Sequence, residues 1–288
     1  MWIVFSLITS FLETSKDTLS KISSVKTNEF VSAFALQLFA AIVLLPFVLI
    51  TGIPSLTQSY WLTILISCVG IPAWSLLYMR AIKLSPLSLS IPLLAFNPVF
   101  TAFFAIFFEK RFPDTVGWMA IIAITIGLYL LRFNHTHTKT SLLEPLLSLR
   151  REPGSLAMLT VALIWSVGTY VNKIGIQGSS PIFFAFSITG VGAFVLFLIA
   201  LFKGAFHPKV SRTTWLLLLP IGILNGLSEL ALMYALTTGF VPYVVAIKRI
   251  NILWSSLIGV FFYKESLSRV KLIGLLLMLL GVISLLLF

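Results

Sequence analysis

Apolar residues run through this chain in long blocks separated by short breaks that are polar or contain proline or glycine. The blocks lie near 1–21, 30–51, 60–82, 86–108, 114–132, 155–176, 181–203, 213–237, 241–262 and 268–288. Each is close to the ~20 residues a helix needs to cross ~30 Å of hydrocarbon. The blocks do not alternate with a period of two, as the strands of a membrane barrel would. The predicted fold class is therefore an all-α membrane protein with ten transmembrane helices.

Several blocks contain polar residues that lipid does not accommodate cheaply. The stretch Pro242 to Glu265, PYVVAIKRINILWSSLIGVFFYKE, carries adjacent Lys248 and Arg249. A cation well inside a membrane helix costs roughly 2.5–3.5 kcal/mol on insertion scales, so such charges face a partner, a cavity or a substrate. Pro242 suits a first turn. Lys248 then lies about 9 Å along the helix, with Arg249 turned about 100° further around it. The pair is read as facing an internal polar cavity. The first block holds Glu13, Lys16 and Asp17, whose spacing puts them on one helix face. They form either a local ion cluster near the membrane boundary or a coupling-ion or substrate site. The fourth block carries Pro86, Pro92 and Pro98 beside Asn97. Interior prolines remove amide donors and free carbonyls, and the resulting bend either serves packing or shapes a substrate site. Trp74 and Tyr78, four apart, form an aromatic wall or simply pack. In the eighth block Gly222 and Gly226 permit close helix contact, with Asn225 and Glu229 beside them. Glu229 is the natural partner for Lys248 or Arg249, and the ionised trio would keep one positive charge, suited to an anion.

The longest connection, Arg132 to Gly154, divides a sequence that partly repeats. Ser20-Lys21-Ile22 matches Asn172-Lys173-Ile174. From Ala105, AIFFEKRFPDTVGWMAIIAITIGLYLL aligns without gaps to GVFFYKESLSRVKLIGLLLMLLGVISL from Gly259. Pro86 and Pro242 open equivalent spans with a two-residue shift. Five spans per repeat is an odd number, so the repeats insert with opposite orientation, and inverted repeats place sites near the bilayer midplane.

Composition agrees: 59% of residues are hydrophobic and 10% charged, with mean hydropathy +1.06, against roughly 45–50% and 25% for soluble domains. The net charge of +11 could suggest nucleic acid, but in a membrane chain basic residues collect in cytoplasmic loops. The odd-numbered connections hold most of them, including Lys26, Lys83, Lys139, Arg150, Arg151, Lys209 and Lys264, while the even-numbered ones hold Lys110, Arg111 and Lys173. That bias places the odd loops in the cytoplasm and both termini outside. Met1-Trp2-Ile3-Val4 lacks a basic leader segment, so the first helix is expected to be retained. The single cysteine, Cys68, excludes an intrachain disulfide, and His135, His137 and His207 are read as solvated loop residues. Neither metal nor cofactor is expected. No nucleophile and base pair suggests an enzyme.

On the five-plus-five repeat, the span-four pattern LSLSIPLLAFNPVFTAFFAIFFEKR, its counterpart VFFYKE and the glycines Gly274 and Gly281, the chain resembles the drug/metabolite transporter superfamily, in particular its EamA-type ten-helix members. The resemblance implies two inverted five-helix repeats, the first at 1–133 and the second at 155–288, joined by a loop at 134–154. It also implies secondary transport without ATP, and no GxxxxGK[ST] loop is present. The implied location is the cell (inner) membrane, with both termini cytoplasmic, opposite to the charge count. Locally, Lys248-Arg249 followed by Ser255-Ser256-Leu257-Ile258 looks like the Lys-Arg motif of sugar-phosphate translocators, which implies phosphate or carboxylate ligands. Those translocators also use a lysine in the fourth helix, where this chain reads Ser90-Ile91-Pro92-Leu93.

The leading expectation is a secondary transporter of a small organic anion or phosphorylated metabolite. Its candidate substrate-binding residues are Lys248, Arg249, Glu229, Asn97, Tyr78, Trp165 and Tyr234, with Glu13, Lys16 and Asp17 as a coupling site or ion pair. The alternative is export of an amine, amino acid or other cationic or zwitterionic metabolite, drawn by Glu13, Asp17 and Glu229 and by the faces of Trp74, Tyr78, Trp165 and Tyr170. A scaffold or receptor fits the composition but leaves the repeat, the prolines and the buried charges without a shared cause. The expected partners are a small-molecule substrate and membrane lipid, with a homo-oligomer left open and no nucleic acid.

Overall fold

The computed structural model describes residues 1–23, 28–85, 87–132, 144–205, 212–263 and 268–287. Their regular structure is entirely helical. Long helices are α1 (Trp2–Ser23), α2 (Glu29–Thr51) and α3 (Gln58–Leu84), followed by the short α4 (Leu87–Ser90), a 3₁₀ segment (Ile91–Phe96) and α5 (Asn97–Phe108). Then come α6 (Thr115–Arg132), the single turn α7 (Glu144–Leu147), α8 (Pro153–Gln177), α9 (Pro181–Phe202), α10 (Arg212–Thr238), α11 (Val241–Lys248), α12 (Ile250–Tyr263) and α13 (Arg269–Leu287). Among the described residues, eight segments are long and apolar enough to cross a membrane, and Thr115–Leu131 is a shorter apolar helix. The remaining predicted span is α1, 22 residues long, whose apolar run is interrupted by Glu13, Lys16 and Asp17. Pro86, His135, His137, Lys139, His207, Lys209, Lys26, Lys264 and Glu265 lie outside the described residues.

Local sequence sets the helix ends. The Asn28 side chain accepts from the Phe30 amide at the start of α2, and Ser180 accepts from Phe183 ahead of Pro181 at the start of α9. Gly52, at φ +77°, closes α2 in a conformation few side chains adopt.

The chain divides into two compact units, each drawing helices from both halves of the sequence: Met1–Pro72 with Val171–Gly239, and Ala73–Tyr170 with Phe240–Phe288. α3 and α8 are shared between them, α3 dividing at an internal proline.

In the first unit α10 lies along α1 and α2, and α2 along α9. Trp215 stands edge-on to Phe34 and Phe39, over buried Ala35, Leu218 and Ile221. The expected close approach at Gly222 and Gly226 is made onto α2: a Cβ on Gly226 would lie 2.9 Å from Ala40. α1 buries hydroxyls, among them Ser6, Thr9 and Thr14. Each donates to the carbonyl four residues back, which satisfies it without a partner helix.

In the second unit α6 packs along α13. The gapless alignment pairs Gly127 with Gly281 and Ala120 with Gly274. A Cβ on Gly127 would lie 2.6 Å from the Gly274 carbonyl, and one on Gly281 would lie 2.7 Å from the Ala120 carbonyl. Residue i meets j′ and j meets i′, the reciprocal pattern of a two-fold axis. Numbers rise on one helix as they fall on the other, so the pair is antiparallel. The repeats are therefore inverted, as their odd span count requires.

Candidate functional site

Spans four and nine, equivalent in the repeat, are both broken. In span four the helical path changes at Ile91 and again at Asn97. Pro92 and Pro98 do not sit inside a helix and disrupt it. They occupy first-turn positions of the new segments, where a missing N–H costs nothing. Span nine contains no comparable proline, and the sequence reading treated Pro242 to Glu265 as one helix. The structure corrects this: α11 ends at Lys248, Arg249 stands between segments with φ −66° and ψ −7°, and α12 starts at Ile250. The Arg249 amide turns to the Ala246 carbonyl at 3.2 Å, three residues back, the tightened geometry of a terminating turn. Eight residues of α11 carry the chain about 12 Å from Val241, so this break falls well inside a ~30 Å hydrocarbon layer.

Asn97 joins the two breaks. Its carboxamide oxygen accepts from Arg249 Nη2 at 2.6 Å, and its amide nitrogen donates to the Ala162 carbonyl at 3.1 Å and Ser166 Oγ at 2.8 Å. A backbone carbonyl only accepts, so Ala162 fixes which end of the carboxamide faces Arg249. Asn97 is 2% exposed and Ser166 fully buried. The cluster extends further: the Asn97 carbonyl accepts from Thr101 Oγ1 and Ser166 Oγ, and the Thr101 carbonyl accepts from the Tyr170 hydroxyl at 2.6 Å. Asn97, Thr101, Ser166 and Tyr170 thus bolt the broken fourth span to α8. Arg249 is half-buried, and the oxygen that Asn97 offers it belongs to a neutral group. α5 and α12 both begin beside this contact, and a helix N-terminus carries partial positive charge.

The other predicted residues divide between the units. In the second, Tyr78 stacks on Trp165 (centroids 6.2 Å, 27°), and Trp74 meets the same ring edge-on at 5.6 Å. Both Tyr78 and Trp165 pack against buried Ala81, Leu94 and Ala162. This wall is therefore at least partly core, and it shares Ala162 with the Asn97 cluster. Lys248 is half-buried at the end of α11. In the first unit Lys16 lies 3.7 Å from Asp17 and donates to Asn225 Oδ1 at 3.5 Å. Glu13 and Glu229 are half-buried, and Tyr234 stacks on Phe5 at 5.1 Å. Lys173 donates to the Gly239 carbonyl at the end of α10. Among the described residues no group of acidic, histidine or cysteine side chains could hold a metal.

Sequence reasoning passed over Ser166 and Thr101, whose only signal is spacing: Ala162, Ser166 and Tyr170 share a face of α8 at intervals of four. It also passed over the clasp at the start of span nine. Glu109, at the end of α5, accepts from the Val241 amide at 3.2 Å, Arg111 lies over the Phe240 ring at 5.1 Å, and Asp114 accepts from the Tyr243 hydroxyl at 2.7 Å. Asp114 also accepts from the Gly117 amide at the start of α6. These bonds, Tyr243 first, hold the Asp114 carboxyl below the usual carboxylate range.

This architecture defines a polytopic helical membrane protein built from two inverted repeats, with broken helices meeting at a buried polar junction. The sequence profile of the EamA-like transporter family matches residues 1–133 and 152–287. The chain belongs to that family, in the drug/metabolite transporter superfamily, and is an integral, multi-pass membrane transporter of small molecules. A solved structure titled "Crystal structure of protein" has the same fold, with a TM-score of 0.80 at 18% identity, covering 98% of this chain and 97% of that one. No curated protein matches at a significant level.

Proposed function

We propose that this chain is a secondary transporter that moves a small organic anion, phosphorylated metabolites included, across the cell (inner) membrane by alternating access, with Arg249 and Lys248 as substrate ligands. The observation that carries this reading is the break of span nine at its cationic pair, with Arg249 oriented by the neutral oxygen of Asn97. A guanidinium fork engages carboxylate or phosphate through two parallel bonds, and a lysine adds a point charge. Two helix N-termini beside the pair favour the same sign of ligand. Asn97, whose amide is committed on both sides, acts as a positioning residue rather than a ligand. The local likeness to sugar-phosphate translocators supports an anion, while the absence of a cation at Ser90–Leu93 favours a substrate with one anionic group.

The test is thermal stabilisation of the purified chain by matched panels of carboxylated, phosphorylated and amine metabolites, since a ligand of the folded state raises stability by mass action. Stabilisation by anions that disappears in Lys248→Ala/Arg249→Ala supports the proposal. Stabilisation by amines that survives those substitutions rejects it and favours the cation exporter, with Glu13, Asp17 and Glu229 as its site.

A further inference from the structure

The linker between the repeats carries a feature that the transport reading leaves unused. Ser148, after α7, donates to the Pro145 carbonyl at 2.6 Å and shares a 2.7 Å hydrogen bond with Ser155. The Arg151 and Glu152 amides return to the Ser148 carbonyl at 3.0 and 2.7 Å. Ser85, past the end of α3, donates to Glu152 Oε2 at 3.0 Å and accepts from the Gly154 amide at 3.1 Å. The linker's exit is thereby tied to the adjoining ends of α3 and α8. Pro145 and Ser148 turn inward, while Leu146 and Leu147 are 37% and 52% exposed. Arg150 and Arg151 follow, both exposed. Glu152, which follows the two arginines, is engaged by Ser85. Leu84 and Leu156, beside the tie on α3 and α8, are also exposed, at 43% and 56%. Exposed leucines thus stand at the adjoining ends of two membrane-crossing helices and on the linker tied to them, and two guanidinium groups follow the linker pair.

We propose that Leu146, Leu147, Arg150 and Arg151 form an interfacial site for an anionic phospholipid, the leucines against the upper acyl chain and the arginines on the headgroup phosphate. Attachment to the ends of two membrane-crossing helices selects a membrane occupant, because acyl chains give way to headgroups where such helices end. Charge selects the headgroup: an arginine fork binds a phosphate diester through paired N–H groups, and its stem lies comfortably along apolar surface. The site is held by hydrogen bonds within one unit and does not depend on the substrate.

Native mass spectrometry of the full chain, titrated with phosphatidylglycerol or phosphatidylcholine, tests this. The wild-type chain is expected to retain phosphatidylglycerol preferentially, and Arg150→Gln/Arg151→Gln to weaken that retention about thirtyfold, at a factor of about five per basic residue. Leu146→Ser/Leu147→Ser should weaken both lipids. Equal retention by the wild-type and glutamine variants would overturn the proposal. So would competition by free glycerol phosphate at concentrations equal to the lipid, which would mark a soluble-anion site. As an independent readout, a fluorophore at Leu147→Cys in a Cys68→Ser background should be quenched by spin-labelled lipid. An unquenched probe in bilayer-reconstituted protein would equally overturn the proposal, leaving the face to a protein partner.

Discussion

Spans four and nine occupy equivalent places in the repeat, yet their breaks have different causes. In span four the cause is local: Pro92 and Pro98 each favour the start of a new segment, and the chain turns just ahead of them. In span nine no such residue exists, and the turn falls at Arg249, whose side chain is bonded to Asn97. Continued eight residues back from Ala105 and Gly259, the same register sets Asn97 opposite Asn251, both buried. Symmetry therefore places a carboxamide at each break, while Lys248 and Arg249 are found at only one. One broken span supplies a neutral, rigid support, and the other supplies the charge that it supports. A site assembled this way is asymmetric although its scaffold is not.

Breaking the charged half should have the largest effect. Arg249→Ala is expected to abolish anion uptake in proteoliposomes while leaving insertion intact, because it removes the proposed bidentate ligand, and each hydrogen bond to a charged group contributes ~1.5–3 kcal/mol. Lys248→Ala should cost less, since a point charge at the segment end is easier to replace. Full activity in Arg249→Ala would remove the site from span nine.

The supporting half gives the next effect. Asn97→Asp keeps shape but places a carboxylate on Arg249, so anion affinity should fall at least tenfold, the scale of ~1.4 kcal/mol, and stability should fall as well, because the donor to the Ala162 carbonyl is lost. Asn97→Ala should lower stability by about 1–3 kcal/mol, the cost of leaving buried partners unsatisfied. A purely structural Asn97 predicts for Asn97→Asp an unchanged anion affinity in the folded fraction.

Removing a proline should matter less. Pro98→Ala is expected to leave the break in place, since Asn97, Thr101, Ser166 and Tyr170 hold it. It should reduce stability by ~0.4–1 kcal/mol through the freer unfolded chain, read in thermal unfolding. Conversion of span four to one continuous helix would show that proline, not the α8 contact, maintains the bend.

The smallest expected effect lies at the clasp that starts span nine. The folded Asp114 carboxyl is depressed by the Tyr243 hydroxyl and the Gly117 amide. Its stabilising contribution is therefore full above the ordinary carboxylate pKa and is lost as pH falls through the lowered value. Tyr243→Phe should flatten that part of the stability profile below the ordinary carboxylate pKa, leaving the neutral-pH unfolding midpoint nearly unchanged. An unaltered acid limb would show that the hydroxyl contact contributes nothing.

Much of the fold was written in the sequence because lipid imposes one-dimensional rules. Apolar length set the spans, and the odd number of spans in each aligned repeat implied inversion, which the reciprocal Gly127 and Gly281 contacts bear out. Buried charge singled out Lys248 and Arg249, since the cost of desolvating a cation depends on depth more than on neighbours. Proline marked span four. Tertiary structure alone decided how these pieces combine. That span nine breaks at Arg249 cannot be read from its residues, because no local propensity demands it. That Ser166, on another span, sets the amide of Asn97 is a contact across 69 positions, with no local signature. The two compact units each take helices from both repeats, a partition that similarity along the chain does not reveal. Periodicity and hydropathy report the environment of each segment, whereas the identity of its neighbour is fixed only when three-dimensional packing brings particular side chains within bonding distance.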